Sequence, residues 1–144
     1  MTMLKTFGLA AVLLTLAAPA ARAQTLGDLT LTFPQLASTQ GKVMIAVYDS
    51  AQGWASGKPV RTAMAAASDT PPTAKIPALP AGTYAVRAFQ DVDGDGKMGT
   101  NPFGLPTEPF GFSHDAKPNM GPPSFEAAAF EVGAGANAQA IHLH

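Results

Sequence analysis

Alternation of apolar and polar positions dominates this chain. Leu29, Leu31 and Phe33 fall on one phase of a two-residue repeat and Thr30 and Thr32 on the other. That is the pattern of a half-buried strand, and Pro34 ends it. Over Val43–Tyr48 both phases are apolar, with Val43, Ile45 and Val47 against Met44, Ala46 and Tyr48. Such a strand is expected at the centre of a sheet, covered on both faces. Tyr84, Val86 and Ala88 alternate with Ala85, Arg87 and Phe89, the clearest strand of all. Val60–Ala67 reads as a strand, although its alanines also suit a helix, and Asp69-Thr70-Pro71-Pro72 stops it. Thr73–Leu79 carries Pro77, which places it at a sheet edge. Phe125–Val132 and Gln139–Leu143 close the chain around a Gly133–Asn137 turn. Residues 49–53 and 79–83 are turn-rich, and Trp54 follows the first of these stretches. About seven short strands separated by turns predict an all-β fold, a Greek-key β-sandwich with one long ordered loop over residues 90–124.

The N-terminus does not belong to that pattern. Lys5 supplies a positive charge, Phe7–Ala18 is almost wholly apolar, and Ala21-Arg22-Ala23 is a small-x-small triplet. These are the three regions of a secretory signal peptide over residues 1–23, with cleavage before Gln24. The apolar run is far shorter than the ~20 residues that span a bilayer. Residues 24–144 then form a single β-sandwich domain with no membrane span, and the protein is expected to be periplasmic or secreted. Losing Lys5 and Arg22 leaves 7 basic residues against 10 acidic ones, a net charge of −3. That balance argues against nucleic acid as a partner. The chain has no cysteine, which excludes disulfides, thiolate metal sites and a cysteine nucleophile. An exported chain without disulfides stands to gain from a bound metal.

One candidate for that metal is Asp91-Val92-Asp93-Gly94-Asp95-Gly96-Lys97. Carboxylates at alternate positions converge on one cation where glycine lets the backbone turn, and Ca²⁺ favours several oxygens at adaptable angles. The spacing matches the first half of an EF-hand loop. The second half fails, because Pro102 stands where a bidentate Glu is required and no helix flanks the loop. The expectation is a strand-to-loop calcium site with Asp91, Asp93 and Asp95 as ligands. The Lys97 carbonyl, the Asn101 side chain, Glu108 or Asp115 would complete it. The plain alternative is a solvated acidic turn.

Phe103, Phe110 and Phe112 lie among prolines and glycines in the following stretch. They read first as a mini-core folding the loop back onto the sandwich. With Trp54 they also make a candidate carbohydrate- or peptide-binding surface, and exposure of the rings separates the two readings. His142 and His144 share one face of a closing strand without an evident third ligand, and the terminal histidine is expected to fray. Ser113, His114 and Asp115 have the residue types of a catalytic triad. Direct neighbours diverge, however, and there is no G-x-S-x-G elbow. A hydrolase would require Glu108, His114 and Asp115 to converge in a pocket. The chain is therefore read as a non-enzyme.

Several blocks resemble the domain of unknown function 2141 family of secreted bacterial proteins. They are Gly41-Lys-Val-x-Ile-Ala-Val-Tyr-Asp49, Pro80-Ala-Gly-Thr-Tyr-Ala-Val86 and the Asp91–Lys97 loop. Asn101-x-x-Gly104-x-Pro106-x-Glu108-x-x-Gly111-Phe112-Ser113 and Pro123-Ser-Phe-Glu126-x-Ala128 continue the likeness. The resemblance implies a secreted sandwich of the Ig-like or transthyretin-like kind and no assigned activity. Members usually carry a second acidic residue after the Asp-rich loop, where this chain has Gly99. Together these readings describe a secreted, calcium-stabilised domain that binds or scaffolds at the cell envelope, its partner an unknown envelope protein or a glycan.

Overall fold

The computed structural model describes residues 23–144, so the predicted leader lies, but for its last residue, outside the described residues. Eight strands form two sheets: β1 (Leu26–Thr32), β2 (Lys42–Tyr48), β3 (Arg61–Ala66), β4 (Thr73–Pro80), β5 (Gly82–Asp91), β6 (Phe110–Phe112), β7 (Phe130–Val132) and β8 (Gly135–Ala140). One sheet has the order β4-β1-β8, with β1 and β8 parallel. The other runs β3-β2-β5-β6, and β7 also pairs with β5. The all-β expectation holds. β2 is central, as its two apolar phases require: Val43, Ile45 and Val47 face the shared core, while Ala46 and Tyr48 join a second cluster. In the shared core they meet Leu29, Leu31 and Phe33, Ile76 and Leu79, Val86 and Phe130.

Pro77 does mark an edge, since β4 is the outer strand of its sheet. Next to it Ala78 takes a positive φ of 54°, and its amide donates to the Asp28 carboxylate at 2.9 Å rather than to a strand. The register of β1 shifts at the same place, between Gly27 and Leu29.

Several local expectations are corrected, among them the single loop over residues 90–124, which is broken by β6 at Phe110–Phe112. Residues 51–56 form a helix, α1 (Ala51–Ser56), rather than a turn-rich loop. The Ser50 side chain caps its N-terminus by accepting from the Gly53 amide, and Gly57 ends it at φ 66°. Phe125–Ala128 is a short helix, α2, capped by Ser124, so the expected strand shrinks to β7. The last strand is Gly135–Ala140 rather than Gln139–Leu143. Its residues are exposed or half-buried and show no apolar phase, so nothing in the pattern announces it. The Asn137 side chain holds its turn by bonding both backbone groups of Gly133. His144 does not fray: it exchanges both backbone hydrogen bonds with Phe110.

β6 and β7 share one edge of β5, opposite Arg87–Phe89 and Gly82–Tyr84 respectively. The gap between them would orphan backbone groups in the interior. Ser113, fully buried, fills it. Its hydroxyl accepts from the Val86 amide at 2.8 Å and donates to the Ala128 carbonyl. On the outer face of the larger sheet, Trp54 and Ala128 pack with Tyr48, Ala85 and Phe112. The two helices thus cover one end of that face.

Candidate functional site

Asp91 ends β5, and the chain leaves the sheet there into the 92–109 loop. The carboxylates of this loop organise its backbone. Asp91, buried, accepts from the amides of Gly94 and Gly96, at 2.9 and 3.1 Å. Asp93 accepts from the Asp95 amide and Asp95 from the Lys97 amide. Gly94 and Gly96 adopt φ of 79° and 76°, conformations that other residues reach only with strain. Glu108 closes the loop from its far end, with one oxygen on the Val92 amide and the other on the Gly99 amide, at 2.8 and 2.9 Å. Asn101 holds a smaller turn by accepting from Phe103 and Leu105.

Asp91, Asp93 and Asp95 each offer an oxygen, and all three lie within 4.8 Å of one another. Ca²⁺–oxygen bonds of about 2.3–2.6 Å put opposed ligands roughly 5 Å apart. The spacing of the trio is that of oxygens in one calcium sphere, and these oxygens, both of Asp91 among them, also accept loop amides. The other candidates sit differently. Lys97 lies in the same turn with its amide on Asp95. Both Glu108 oxygens and the Asn101 side-chain oxygen already accept backbone amides. Asp115 is engaged by His142. A side chain at Gly99 would meet the Thr107 hydroxyl at 2.6 Å, so Thr107 would have to turn aside to admit one.

Gly41 is a positioning residue that sequence reasoning quoted without a role. A Cβ there would lie 1.9 Å from the Asp91 carbonyl oxygen, and its φ is 75°. Only glycine lets the 38–41 turn approach the root of the acidic loop. The glycine that opens the Gly41–Asp49 block was the available signal.

The same loop walls a groove of about 1000 Å³ on the outer face of the larger sheet. Met44, Phe89 and Phe110 line it, with Met98, Leu105 and Met120 on its sides. Arg87 also lines it. Burial lowers the affinity of the Arg87 guanidinium for its proton, and the nearby Tyr48 acts in the opposite sense. The part played by Arg87 went unread in the sequence, because a lone arginine in an alternating strand gives no signal of its surroundings.

The four candidate rings separate. Trp54 and Phe112 are buried, with the Trp54 indole donating to the Pro123 carbonyl at 2.8 Å. Phe110 is half-buried against Phe112, and Phe103 is 87% exposed. They do not form one solvent-facing row. Among the hydrolase candidates, Ser113 is consumed by its two backbone bonds, and His114 is exposed at φ 61°. Asp115 pairs with His142 at 3.0 Å, while Glu108 serves the acidic loop. Burial pushes the Asp115 carboxyl up, but hydrogen bonds from the His142 amide and ring, with the charges of His142 and His144, outweigh it and hold it below its ordinary value.

No helix among the described residues is long and apolar enough to cross a membrane. No curated protein and no solved structure matches the chain. The model of a family described as uncharacterized protein conserved in bacteria (DUF2141) matches residues 31–140, from β1 to the end of β8. That span includes both sheets, the acidic loop and the groove, and the chain belongs to this family.

Proposed function

We propose that the protein is a non-catalytic binding domain of the cell envelope whose 91–108 loop is ordered by Ca²⁺ at Asp91, Asp93 and Asp95. One observation carries the reading: the loop that gathers three carboxylates within 4.8 Å also forms a wall of the large groove. A cation there offsets the mutual repulsion of the three carboxylates and holds the wall in place. Export rests on the leader-like residues 1–23.

Thermal unfolding in EDTA, in a Ca²⁺ series and in a Mg²⁺ series tests the cation. A ligand that binds only the folded state raises the midpoint as its concentration rises. Asp93→Asn is the informative variant: the Asn side-chain oxygen still accepts from the Asp95 amide, while the charge is gone. The expected result is a Ca²⁺-dependent rise that Asp93→Asn removes. An unchanged midpoint at millimolar Ca²⁺ would sink the calcium assignment.

A further inference from the structure

The groove holds a cation that the fold leaves without an anion. Strand register sets out its floor. One row across the larger sheet reads Met64, Met44, Phe89, Phe110, and the next reads Thr62, Ala46, Arg87, Phe112. The Arg87 guanidinium lies 4.1 Å from the centre of the Trp54 ring system and 5.1 Å from that of Tyr48. Nη2 donates to the Trp54 carbonyl at 2.6 Å, and Nε is buried with no partner. All ten acidic residues of the chain lie among the described residues, yet none forms an ion pair with Arg87. The guanidinium is held by two aromatic faces and one carbonyl, and no carboxylate offsets its charge. Its place over the Trp54 ring and its bond to the Trp54 carbonyl hold the guanidinium, whose fork of donors suits a carboxylate.

The surroundings are apolar. Met44, Phe89 and Phe110 line the groove beside Arg87, and Leu105 and Met120 stand exposed at its rim. A volume of about 1000 Å³ is at the upper end of small-molecule sites. Methionine walls adapt to apolar bodies of different shape.

We infer that this groove binds a small amphipathic anion, with its apolar body along Met44, Phe89 and Phe110 and its carboxylate-like head at Arg87. The inference rests on the reading of the chain as a binding domain and not on the calcium site.

The test compares dodecanoate, dodecanol and dodecyltrimethylammonium, the two ions below their micelle concentrations and the alcohol below its solubility limit. Binding is read by calorimetry and by the fluorescence of Trp54, the single tryptophan, which lies against Arg87. Dodecanoate is expected to bind at least about tenfold more tightly than dodecanol, the least that charge-assisted hydrogen bonds supply. The ammonium analogue is expected to be weakest. Arg87→Met should abolish the preference for the anion. Leu105→Asp, at an exposed rim position, should weaken dodecanoate binding without touching the core. Equal affinity for the three head groups, or no heat and no fluorescence change with dodecanoate, overturns the proposal. So does a Leu105→Asp variant that binds dodecanoate unchanged. A midpoint that rises with Ca²⁺ in a protein that ignores dodecanoate overturns this inference alone. Dodecanoate binding without a Ca²⁺ response leaves it standing and removes only the cation.

Discussion

Ser113→Ala is expected to be among the most costly single-atom deletions in this protein. The hydroxyl is fully buried and stands where β5 changes partner from β6 to β7. Removing it leaves the Val86 amide without an acceptor and the Ala128 carbonyl without this donor, and both residues are themselves fully buried. Each buried unsatisfied group costs about 1–3 kcal/mol, so the pair costs roughly 3 kcal/mol. Against a total stability of about 5–15 kcal/mol that is a large share. For a domain of this size it corresponds to a fall in midpoint of about 10 °C. Urea unfolding followed by Trp54 fluorescence and by far-ultraviolet circular dichroism measures it, with an unchanged m-value as the sign that only stability moved. Ser124→Ala is the control. Ser124 caps α2 from an exposed position, and its loss should cost only about 1 kcal/mol. If Ser113→Ala costs no more than Ser124→Ala, a water replaces the hydroxyl and the bridging role of Ser113 is refuted.

Two further outcomes are expected. Glu108→Gln turns an NH₂ group toward either the Val92 or the Gly99 amide, so one of the two bonds that close the acidic loop is lost. Losing a hydrogen bond to a charged group, roughly 1.5 kcal/mol or more, should speed tryptic cleavage after the exposed Lys97 by about tenfold. An unchanged cleavage rate would count against Glu108 as the loop's clasp. Asp115, held below its ordinary value in the folded state, contributes stability that is present above the unfolded carboxylate value of about 3.9 and is lost as pH falls through the lower folded value. Its side chain is about half exposed, so the contribution is small. Unfolding midpoints between pH 5 and pH 2 should fall less steeply in Asp115→Asn, and parallel profiles would show that the His142 contact contributes nothing.

Much of the sheet scaffold is legible in residue pattern alone, because a two-residue repeat maps directly onto the two faces of a strand. Leu29, Leu31 and Phe33, the doubly apolar Val43–Tyr48 strand, the Pro77 edge and the Tyr84–Phe89 strand all stand where that repeat puts them. The helices at 51–56 and 125–128 are too short for a helical repeat to show, and only their caps, Ser50 with Gly57 and Ser124, signal them. β8 is silent because its residues bury no apolar phase; its parallel pairing with β1 orders it.

The candidate sites divide in the same way. Sequence by itself determined that Asp91, Asp93 and Asp95 converge, because alternate positions around two positive-φ glycines bring neighbouring carboxylates together locally. It also determined the all-β class and the central place of β2. Only the tertiary structure decided what Glu108, Ser113 and Arg87 do. Glu108 reaches back sixteen residues to Val92, and Ser113 ties β5 to the end of α2 in the gap between two strands that share an edge. Arg87 lies against a tryptophan thirty-three residues away, facing a groove with no carboxylate paired to it. These roles depend on contacts between segments far apart in the chain, and a local pattern carries no information about which distant groups will be brought within bonding distance.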